Sequence, residues 1–452
     1  MEENEKSAHM SRYVLMKKDW PKEGYNLLFS TLTKSVVLIE KRFLDNIENN
    51  EVEELPEEVR KGLLKEGILT DSLNESQNLR YLFQKAKFST KSFGAMILTT
   101  FDCNFKCEYC VENDVKDIRS ENMTDDVSKN IIEWVARNIY ERHPDDVELV
   151  YYGGEPLLNK NPIFSISKEL FKISLDKKVS FSFGIITNGS VSLSSEEMEE
   201  LKDYGLKYFQ VTLDGPEFIH NLRRPYKSGK GSFSDILINV KKFVEFAPVF
   251  VRVNIDRTNA NSIGELLNFL YKEGLSSKIV IDFAPRIKSG LLPHFCDANI
   301  MPDKAFSDSL KEVLPIARNL GFSVAKRFVE IGPCLLTSES QFVIDPIGDI
   351  YKCSGFVGRK EFSVGNVKDE HYSSKFIEFI TMDRWEQCLD CPYVPLCGGG
   401  CAYESFVTFG DYRKRLCKKA LFAGTTMEVL ANSLYNKVEI QKVLESDLWK
   451  KS

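Results

Sequence analysis

Thr100-Phe-Asp-Cys103-Asn-Phe-Lys-Cys107-Glu-Tyr-Cys110 ends the apolar-rich segment Ala95–Thr100 and spaces three cysteines as CX3CX2C. Three thiolates on one short loop can hold three corners of a cubane iron-sulfur cluster and leave the fourth iron open to a ligand. The same spacing can begin a zinc site completed by a histidine, or it can belong to buried free thiols. This stretch alone leaves the metal undecided.

A glycine pair follows the next predicted strand. Gly153-Gly154-Glu155-Pro156 comes after the apolar run Val147–Val150. Glycines at a strand end permit positive φ and close backbone approach, which a cluster-bound ligand needs. Four such residues are also compatible with an ordinary tight turn. Their place downstream of the CX3CX2C loop favours a functional role.

Strand-like and helical segments alternate from Ala95 to about Arg286. We expect helices capped by Thr124 and by a capping box of Ser194 and Glu197. This alternation predicts an α/β fold with a parallel sheet, either open and doubly wound or a partial barrel, with chemistry at the carboxyl ends of its strands. The six predicted strands are Ala95–Thr100, Val147–Tyr152, Phe181–Thr187, Tyr208–Leu213, Phe250–Ile255 and Ile279–Phe283.

A second cysteine array spans residues 334–417. It reads Cys334, then Gly348-X4-Cys353, then Cys388-X2-Cys391-X5-Cys397-X3-Cys401, and finally Cys417. Two zinc ribbons or two iron-sulfur clusters can use these thiolates, because four-thiolate sites of either metal have the same ligand count. Cys296, which precedes the array, is expected to be a buried thiol.

Size and composition exclude several classes of protein. A chain of 452 residues exceeds one ordinary core, so we expect two or three domains. No run approaches a membrane span and the acidic start is not a signal peptide, so we expect a cytoplasmic protein with no membrane partner. A net charge of -6 argues against nucleic acid as a partner. Eleven cysteines against five histidines favour thiolate metal chemistry over disulfides.

The CX3CX2C loop and the GGEP segment together resemble the signature of the radical S-adenosylmethionine (SAM) enzymes. The resemblance implies a partial (β/α)6 TIM-type barrel over residues 91–286 and a [4Fe-4S] cluster on Cys103, Cys107 and Cys110 whose open iron chelates SAM. It places Glu155 by the SAM amino group and Tyr109 by the adenine. Arg223 is taken from His220-Asn-Leu-Arg-Arg, which resembles the family's "HD..R" stretch with Asn221 in place of Asp. The expected cofactor-binding residues are Tyr109, Gly153, Gly154, Glu155, Asn188, Asp214, Arg223 and Asn254, although an Asn-Gly or Asp-Gly pair is also a common turn.

The second array resembles the seven-cysteine SPASM domain, here assigned to residues 334–420, with a bridging region at 287–333 and a C-terminal helix at 421–452. The resemblance implies two auxiliary [4Fe-4S] clusters and therefore three in all. The outer cluster would use Cys388, Cys391, Cys397 and Cys417, and the inner cluster Cys334, Cys353 and Cys401. The inner set is one thiolate short, so either Asp345 completes it or one iron is open. Sulfatase-maturing relatives add a cysteine after the first, and they have a catalytic Asp where this chain has Ser354.

Residues 1–90 resemble neither domain. Their predicted order, a small antiparallel sheet followed by two helices, looks like the winged-helix element by which peptide-modifying radical SAM enzymes hold a leader peptide through strand addition. A structural cap over the barrel is the alternative.

These features together predict a radical SAM/SPASM enzyme that cleaves SAM and modifies a ribosomally made precursor peptide. The open inner cluster favours a Cys thioether cross-link, and an external donor such as flavodoxin or ferredoxin would supply the electron. A sulfatase-type formylglycine maturase, a cyclase forming C-C or C-O links and a non-enzymatic zinc-ribbon scaffold that binds peptides are the alternatives. The sequence names no general base.

Overall fold

The computed structural model describes residues 8–71, 74–110, 121–288, 295–329 and 334–445. Cys110 is therefore the last residue of its loop that is described, and the side chain of Cys296 lies outside the described part. No helix within these ranges combines the length and apolar character that crossing a bilayer requires.

A ten-stranded, mostly parallel sheet organises the chain and confirms the predicted α/β class. In sheet order its strands are β12 (Ser323–Val324), β11 (Ile279–Pro285), β10 (Val249–Ile255), β9 (Leu206–Thr212), β8 (Ser180–Thr187), β7 (Asp146–Tyr152), β6 (Ser92–Leu98), β13 (Gln341–Ile344), β14 (Asp349–Tyr351) and β15 (Gly365–Asn366). Six consecutive parallel strands coincide with the six that the sequence predicts, each within a few residues. They are β6 to β11.

Alternate residues of these strands face opposite ways. On β10 Val249, Val251, Val253 and Ile255 are fully buried, whereas the residues between them are partly exposed. Strand geometry sends successive side chains to opposite faces, so the buried set packs under helices and the other set faces the barrel interior. We call this second set the inner face.

Helices follow the strands as the repeat requires. Thr124 caps the first of them by accepting a hydrogen bond from the Val127 amide, and Ser194 and Glu197 form the predicted capping box. The helices of this region are α4 (Asp125–Arg142), α5 (Asn161–Lys177), α6 (Ser195–Asp203), α7 (Glu217–Arg223), α8 (Phe233–Phe243), α9 (Ile263–Lys272) and α10 (Asp303–Asn319).

The C-terminal region continues the barrel sheet. Strand β13 (Gln341–Ile344) pairs in parallel with β6, and β14 (Asp349–Tyr351) and β15 (Gly365–Asn366) follow antiparallel. At the other edge β12 (Ser323–Val324) pairs with β11. The remaining helices are α11 (Ser374–Ile380), α12 (Val394–Cys397), α13 (Ala402–Phe409), α14 (Lys419–Leu434) and α15 (Val438–Glu445), so the chain ends in two described helices where the sequence suggests one.

The N-terminal region contains the predicted antiparallel sheet, in the order β2-β3-β4. A separate pair joins β1 to β5. Its elements are β1 (His9–Met10), β2 (Val14–Lys17), β3 (Tyr25–Ser30), β4 (Val36–Glu40), α1 (Lys41–Glu48), α2 (Glu57–Lys65), β5 (Leu69–Thr70) and α3 (Glu75–Lys87).

This region packs on the second cysteine array. Phe83 of α3 meets Trp385 edge-on at 4.9 Å, and both belong to a small apolar cluster with Val394. The Tyr13 hydroxyl donates to the Leu389 carbonyl at 2.7 Å, and Lys87 pairs with Asp383 at 2.7 Å. These contacts fix the N-terminal region beside Cys388 and Cys391.

Candidate functional site

The CX3CX2C loop is held by the segment that follows α7. The Lys106 amide donates to the Pro225 carbonyl at 2.9 Å, and the Lys227 amide donates to the Asn104 carbonyl at 2.8 Å. The rings of Phe105 and Tyr226 meet edge-on at 4.9 Å. The three predicted thiolates are therefore placed by long-range backbone bonds as well as by local sequence.

The glycine pair lies where the loop passes the end of β7. A Cβ on Gly153 would lie 2.3 Å from the Thr100 carbonyl oxygen, and one on Gly154 would lie 2.2 Å from that of Asp102. Gly153 also has a φ of +137°, which side chains rarely adopt. Only glycine admits this approach of the strand end to the cysteine loop.

Glu155 is fully buried and bound to protein donors. Its carboxylate accepts hydrogen bonds from the Thr187 hydroxyl at 2.7 Å, the Asn188 amide at 2.6 Å and the Leu157 amide at 3.0 Å. Burial raises its pKa to about 6 against the effect of these donors. It ties the end of β8 to the end of β7 and thereby orients Asn188, whose side-chain amide points to the Cys103 sulfur at 3.7 Å.

Tyr109 occupies the centre of the strand ends. Its hydroxyl donates to the Asp214 carboxylate and accepts from Arg224 Nη1 at 2.9 Å and from the Asn254 side-chain amide at 3.4 Å. The structure thus brings together Tyr109, Asp214 and Asn254. Guanidinium groups surround the ring at 5.1 to 5.9 Å from its centroid, on Arg223, Arg224 and Arg286.

Arg223 and Arg224 have different surroundings. Arg223 is 3% exposed and forms ion pairs with Asp256 at 2.7 Å and Asp214 at 3.4 Å, so its charge is neutralised within the protein. Arg224 Nε is buried and has no hydrogen-bond partner among the described residues. Arg224 also stands four residues after His220, as the arginine of "HD..R" does, so it joins the predicted Arg223 as a candidate cofactor-binding residue.

His220 holds the backbone around Asp214 and Arg224 in place through hydrogen bonds. Its Nδ1 accepts the Asp214 backbone N–H at 3.3 Å, and its Nε2 lies 3.1 Å from the Ser232 hydroxyl. That hydroxyl gives its proton to the Arg224 carbonyl at 2.7 Å, so Nε2 must carry the proton. Burial lowers the pKa of His220 to about 3. The neutral ring therefore positions the backbone of both Asp214 and Arg224.

The second array forms two groups in space. Burial raises the pKa of Cys353, and the neighbouring sulfurs of Cys401 and Cys334 raise it further. In the other group, burial raises the pKa of Cys397 to about 11 and Cys388 adds to the effect. Arg415 Nη1 donates to the Cys388 sulfur at 3.6 Å, and the charges of Cys417 and Cys391 also act on it. Cys334 and Cys401 thus lie near Cys353, and Cys388 lies near Cys397, while the division into an inner and an outer cluster stays a prediction.

The chemistry around these sulfurs fits thiolate ligands of a metal cluster. The ten described cysteines are free thiols. Backbone N–H groups of Gly399, Gly400 and Lys418 are directed at Cys397, and those of Phe105 at Cys103. Hydrogen bonds to cluster-bound sulfur stabilise and tune it. In the described ranges, no three His, Cys, Asp or Glu side chains converge closely enough to share one metal ion.

Asp345 is placed in the turn between β13 and β14. Its carboxylate accepts the amides of Ile347 at 3.0 Å and Asp349 at 2.9 Å. Burial raises its pKa to about 7, with Asp349 adding to the effect. Asp345 closes this hairpin turn, and the alternatives that it completes the inner set or that one iron is open stay predictions. Ser354 lies exposed beside Cys353.

The chain is similar in sequence to several known proteins. Residues 97–270 match the Radical SAM superfamily model. A cysteine-type anaerobic sulfatase-maturating enzyme of Clostridium perfringens is 24% identical over 330 residues, which cover 66% of this chain and 85% of the relative. The radical SAM cyclopropyl synthase TigE of Paramaledivibacter caminithermalis is 23% identical over 409 residues, which cover 79% of this chain and 78% of the relative.

Two solved structures share the fold. The anSMEcpe enzyme with bound AdoMet superposes with a TM-score of 0.62 at 18% identity, covering 78% of this chain and 98% of that one. SuiB of Streptococcus suis bound to the precursor peptide SuiA superposes with a TM-score of 0.53 at 14% identity, covering 91% of this chain and 99% of that one. At these identities the likeness establishes the fold.

Proposed function

Because the chain contains a radical SAM domain, we propose that it is an enzyme that installs a Cys thioether cross-link in a ribosomally made precursor peptide. The observation that carries the proposal is that the thiols of Cys334 and Cys401 lie near that of Cys353, while Asp345 is engaged in its own hairpin turn.

The first site would be built by residues of the strand ends. Cys103, Cys107 and Cys110 would hold the SAM cluster, and Gly153 and Gly154 leave backbone room beside it. When bound, the cluster and SAM supply a 5'-deoxyadenosyl radical that removes a hydrogen atom from an unactivated carbon.

Charged and aromatic side chains would orient SAM in this site. Arg224 has an unused donor for a carboxylate, since its buried Nε has no partner among the described residues. Tyr109 would lie beside the adenine, as the resemblance implies, and Asn254 and Asp214 hold its hydroxyl in place. Asn188 and Glu155 would fix the neighbouring strand end, with Glu155 acting through Asn188.

The inner set favours a sulfur ligand from the substrate. Three thiols leave one position of a four-iron cluster for an outside ligand, and thiolate is the softest common ligand for iron. A peptide Cys held there would supply the sulfur of the cross-link. Forming the C–S bond would remove from the peptide one C–H hydrogen atom, which the 5'-deoxyadenosyl radical would take up, and one S–H proton. The remaining electron would pass to the cluster held by the inner set.

The N-terminal sheet would bind the leader of that peptide. Strand β4 is an edge of its sheet, and Val36 on it is 39% exposed. An extended peptide can add to such an edge through main-chain hydrogen bonds. The packing of this region on residues 383–394 would bring a bound leader close to the outer cysteine set.

A sulfatase-type maturase is the second candidate, because relatives that cover two thirds of this chain carry that name. Against it, the residue after Cys353 is Ser354, which supplies no carboxylate for proton abstraction.

Anaerobic turnover followed by mass spectrometry separates the two candidates. The substrates are any short Cys-containing peptide that a neighbouring reading frame encodes and a sulfatase-derived Cys peptide. We expect the first to lose two mass units per link and its Cys to resist iodoacetamide. A loss of two units with every Cys still alkylatable would replace the thioether by a C–C or C–O link. Conversion of Cys to an aldehyde in the second peptide alone would establish the maturase.

A further inference from the structure

Two guanidinium groups share one carboxylate on the inner face. Asp282 of β11 is 3% exposed, and its oxygens accept hydrogen bonds from Arg252 Nη1 at 2.8 Å and from Arg327 Nε and Nη2 at 2.9 and 2.6 Å. The group carries two positive charges and one negative charge. An excess positive charge in a confined place is a site for an anion.

The group lies directly beneath the candidate SAM site. Arg252 and Asn254 are two residues apart on β10 and therefore face the same way. Arg252 Nε donates to the Asn254 side-chain oxygen at 3.0 Å, and the Asn254 amide reaches the Tyr109 hydroxyl at 3.4 Å. Asp282 is the partner of Arg252 in the strand register. A ligand on these arginines would lie one layer below Tyr109.

Both arginines keep donors for a ligand. Arg252 Nη2 and Arg327 Nη1 form no hydrogen bond with the described residues, and the two side chains are 20% and 36% exposed. The nearby Asp214 also acts on Arg252, but its oxygens accept the Asn254 amide at 3.0 Å and Arg223 Nε at 3.4 Å. Planar guanidinium groups are suited to binding a carboxylate through paired hydrogen bonds.

We propose that Arg252 and Arg327 bind a carboxylate of the peptide substrate, either an Asp or Glu side chain or the C-terminus of the peptide. The identity of the ligand as part of a peptide rests on the proposed function, whereas the carboxylate site does not. Bound there, the substrate would hold a neighbouring residue under the SAM site and set which residue is modified.

The test uses full-length reconstituted protein without SAM and three trifluoroacetyl-capped tripeptides. Ala-Asp-Ala-amide has a side-chain carboxylate, Ala-Ala-Ala with a free C-terminus has a terminal one, and Ala-Asn-Ala-amide has neither. Ligand-observed fluorine NMR measures their affinities. We expect at least one carboxylate peptide to bind and the Asn peptide not to bind, and the one that binds identifies the source of the carboxylate.

Two variants move the affinity in opposite directions. Arg327→Gln should weaken binding roughly tenfold to a hundredfold, because a hydrogen bond to a charged group is lost. Asp282→Asn keeps the shape of the site but removes its internal carboxylate, so it should strengthen binding. Arg137→Gln, on α4 and bonded to the Asp369 carbonyl, is the matched control and should leave the affinity unchanged.

Equal affinity of all three peptides, or unchanged affinity of the carboxylate peptide in Arg327→Gln, would overturn the carboxylate site. Neither result would affect cleavage of SAM by the wild-type protein, so failure of this inference is distinguishable from failure of the proposed function.

Discussion

His220 makes the stability of the barrel depend on pH. It is fully buried, its neutral ring accepts the Asp214 amide, and burial lowers its pKa to about 3. An unfolded histidine has a pKa of about 6.5, so the folded state binds the proton more weakly than the unfolded chain does. The stabilising contribution is therefore present above pH 6.5 and is lost as the pH falls towards 3.

The size of the effect follows from the two pKa values. One pKa unit corresponds to about 1.4 kcal/mol, so the full contribution is about 5 kcal/mol, and about 2 kcal/mol of it is lost between pH 7.5 and pH 5. His220→Asn cannot take up this proton and keeps a short acceptor near the Asp214 amide. We expect the variant to be less stable at pH 7.5 but to lose about 2 kcal/mol less than wild type on acidification.

Urea unfolding followed by tryptophan fluorescence measures both free energies of unfolding at each pH. His143→Asn is the control, because His143 is exposed at the C-cap of α4 with a φ of +46°, a conformation that Asn tolerates. It should show the wild-type loss. If His220→Asn also loses as much stability as wild type between the two pH values, the buried neutral histidine does not account for the dependence.

Three further predictions concern the proposed sites. Reconstituted protein should hold about twelve iron atoms per chain, and replacing Cys103, Cys107 and Cys110 by Ala should remove about four of them together with all 5'-deoxyadenosine formation. Stoichiometric zinc with little iron would contradict the assignment of iron-sulfur clusters. Arg224→Gln should weaken SAM binding roughly tenfold to a hundredfold in equilibrium dialysis, whereas unchanged affinity would place the SAM carboxylate elsewhere. The Ser30 amide donates to the Ser35 carbonyl and the Lys41 amide donates to the Gly24 carbonyl, and in an antiparallel pair only alternate residues bond across, so the Val36 N–H points away from β3. Val36→Pro therefore removes an outward N–H from the edge of β4. It should lower precursor affinity in fluorescence anisotropy without affecting peptide-independent SAM cleavage, and equal affinity would leave the N-terminal region a structural support.

The parallel strands could be predicted from local sequence patterns, because apolar runs and capping residues act over only a few positions. Thr124 and the Ser194–Glu197 box were identifiable from sequence for this reason. The glycine pair was also identifiable as a place of close approach, although the partners, the carbonyls of Thr100 and Asp102, appear only in the fold.

Site residues whose role depends on partners far away in the sequence could not be predicted from local patterns. Arg223 and Arg224 are adjacent in sequence, and only the position of Asp256 shows that Arg223 is engaged within the protein. The hairpin role of Asp345 depends on the pairing of β13 with β14.

The sequence by itself determined the α/β repeat and the spacing of the CX3CX2C loop, because periodicity and the spacing of near neighbours are local properties of the chain. The tertiary structure alone decided where the N-terminal region packs, and that the Arg252–Asp282–Arg327 group lies beneath Tyr109. These residues are far apart along the chain, and strand register across the parallel sheet brings them together. Register is a property of pairing between strands, which no single segment specifies.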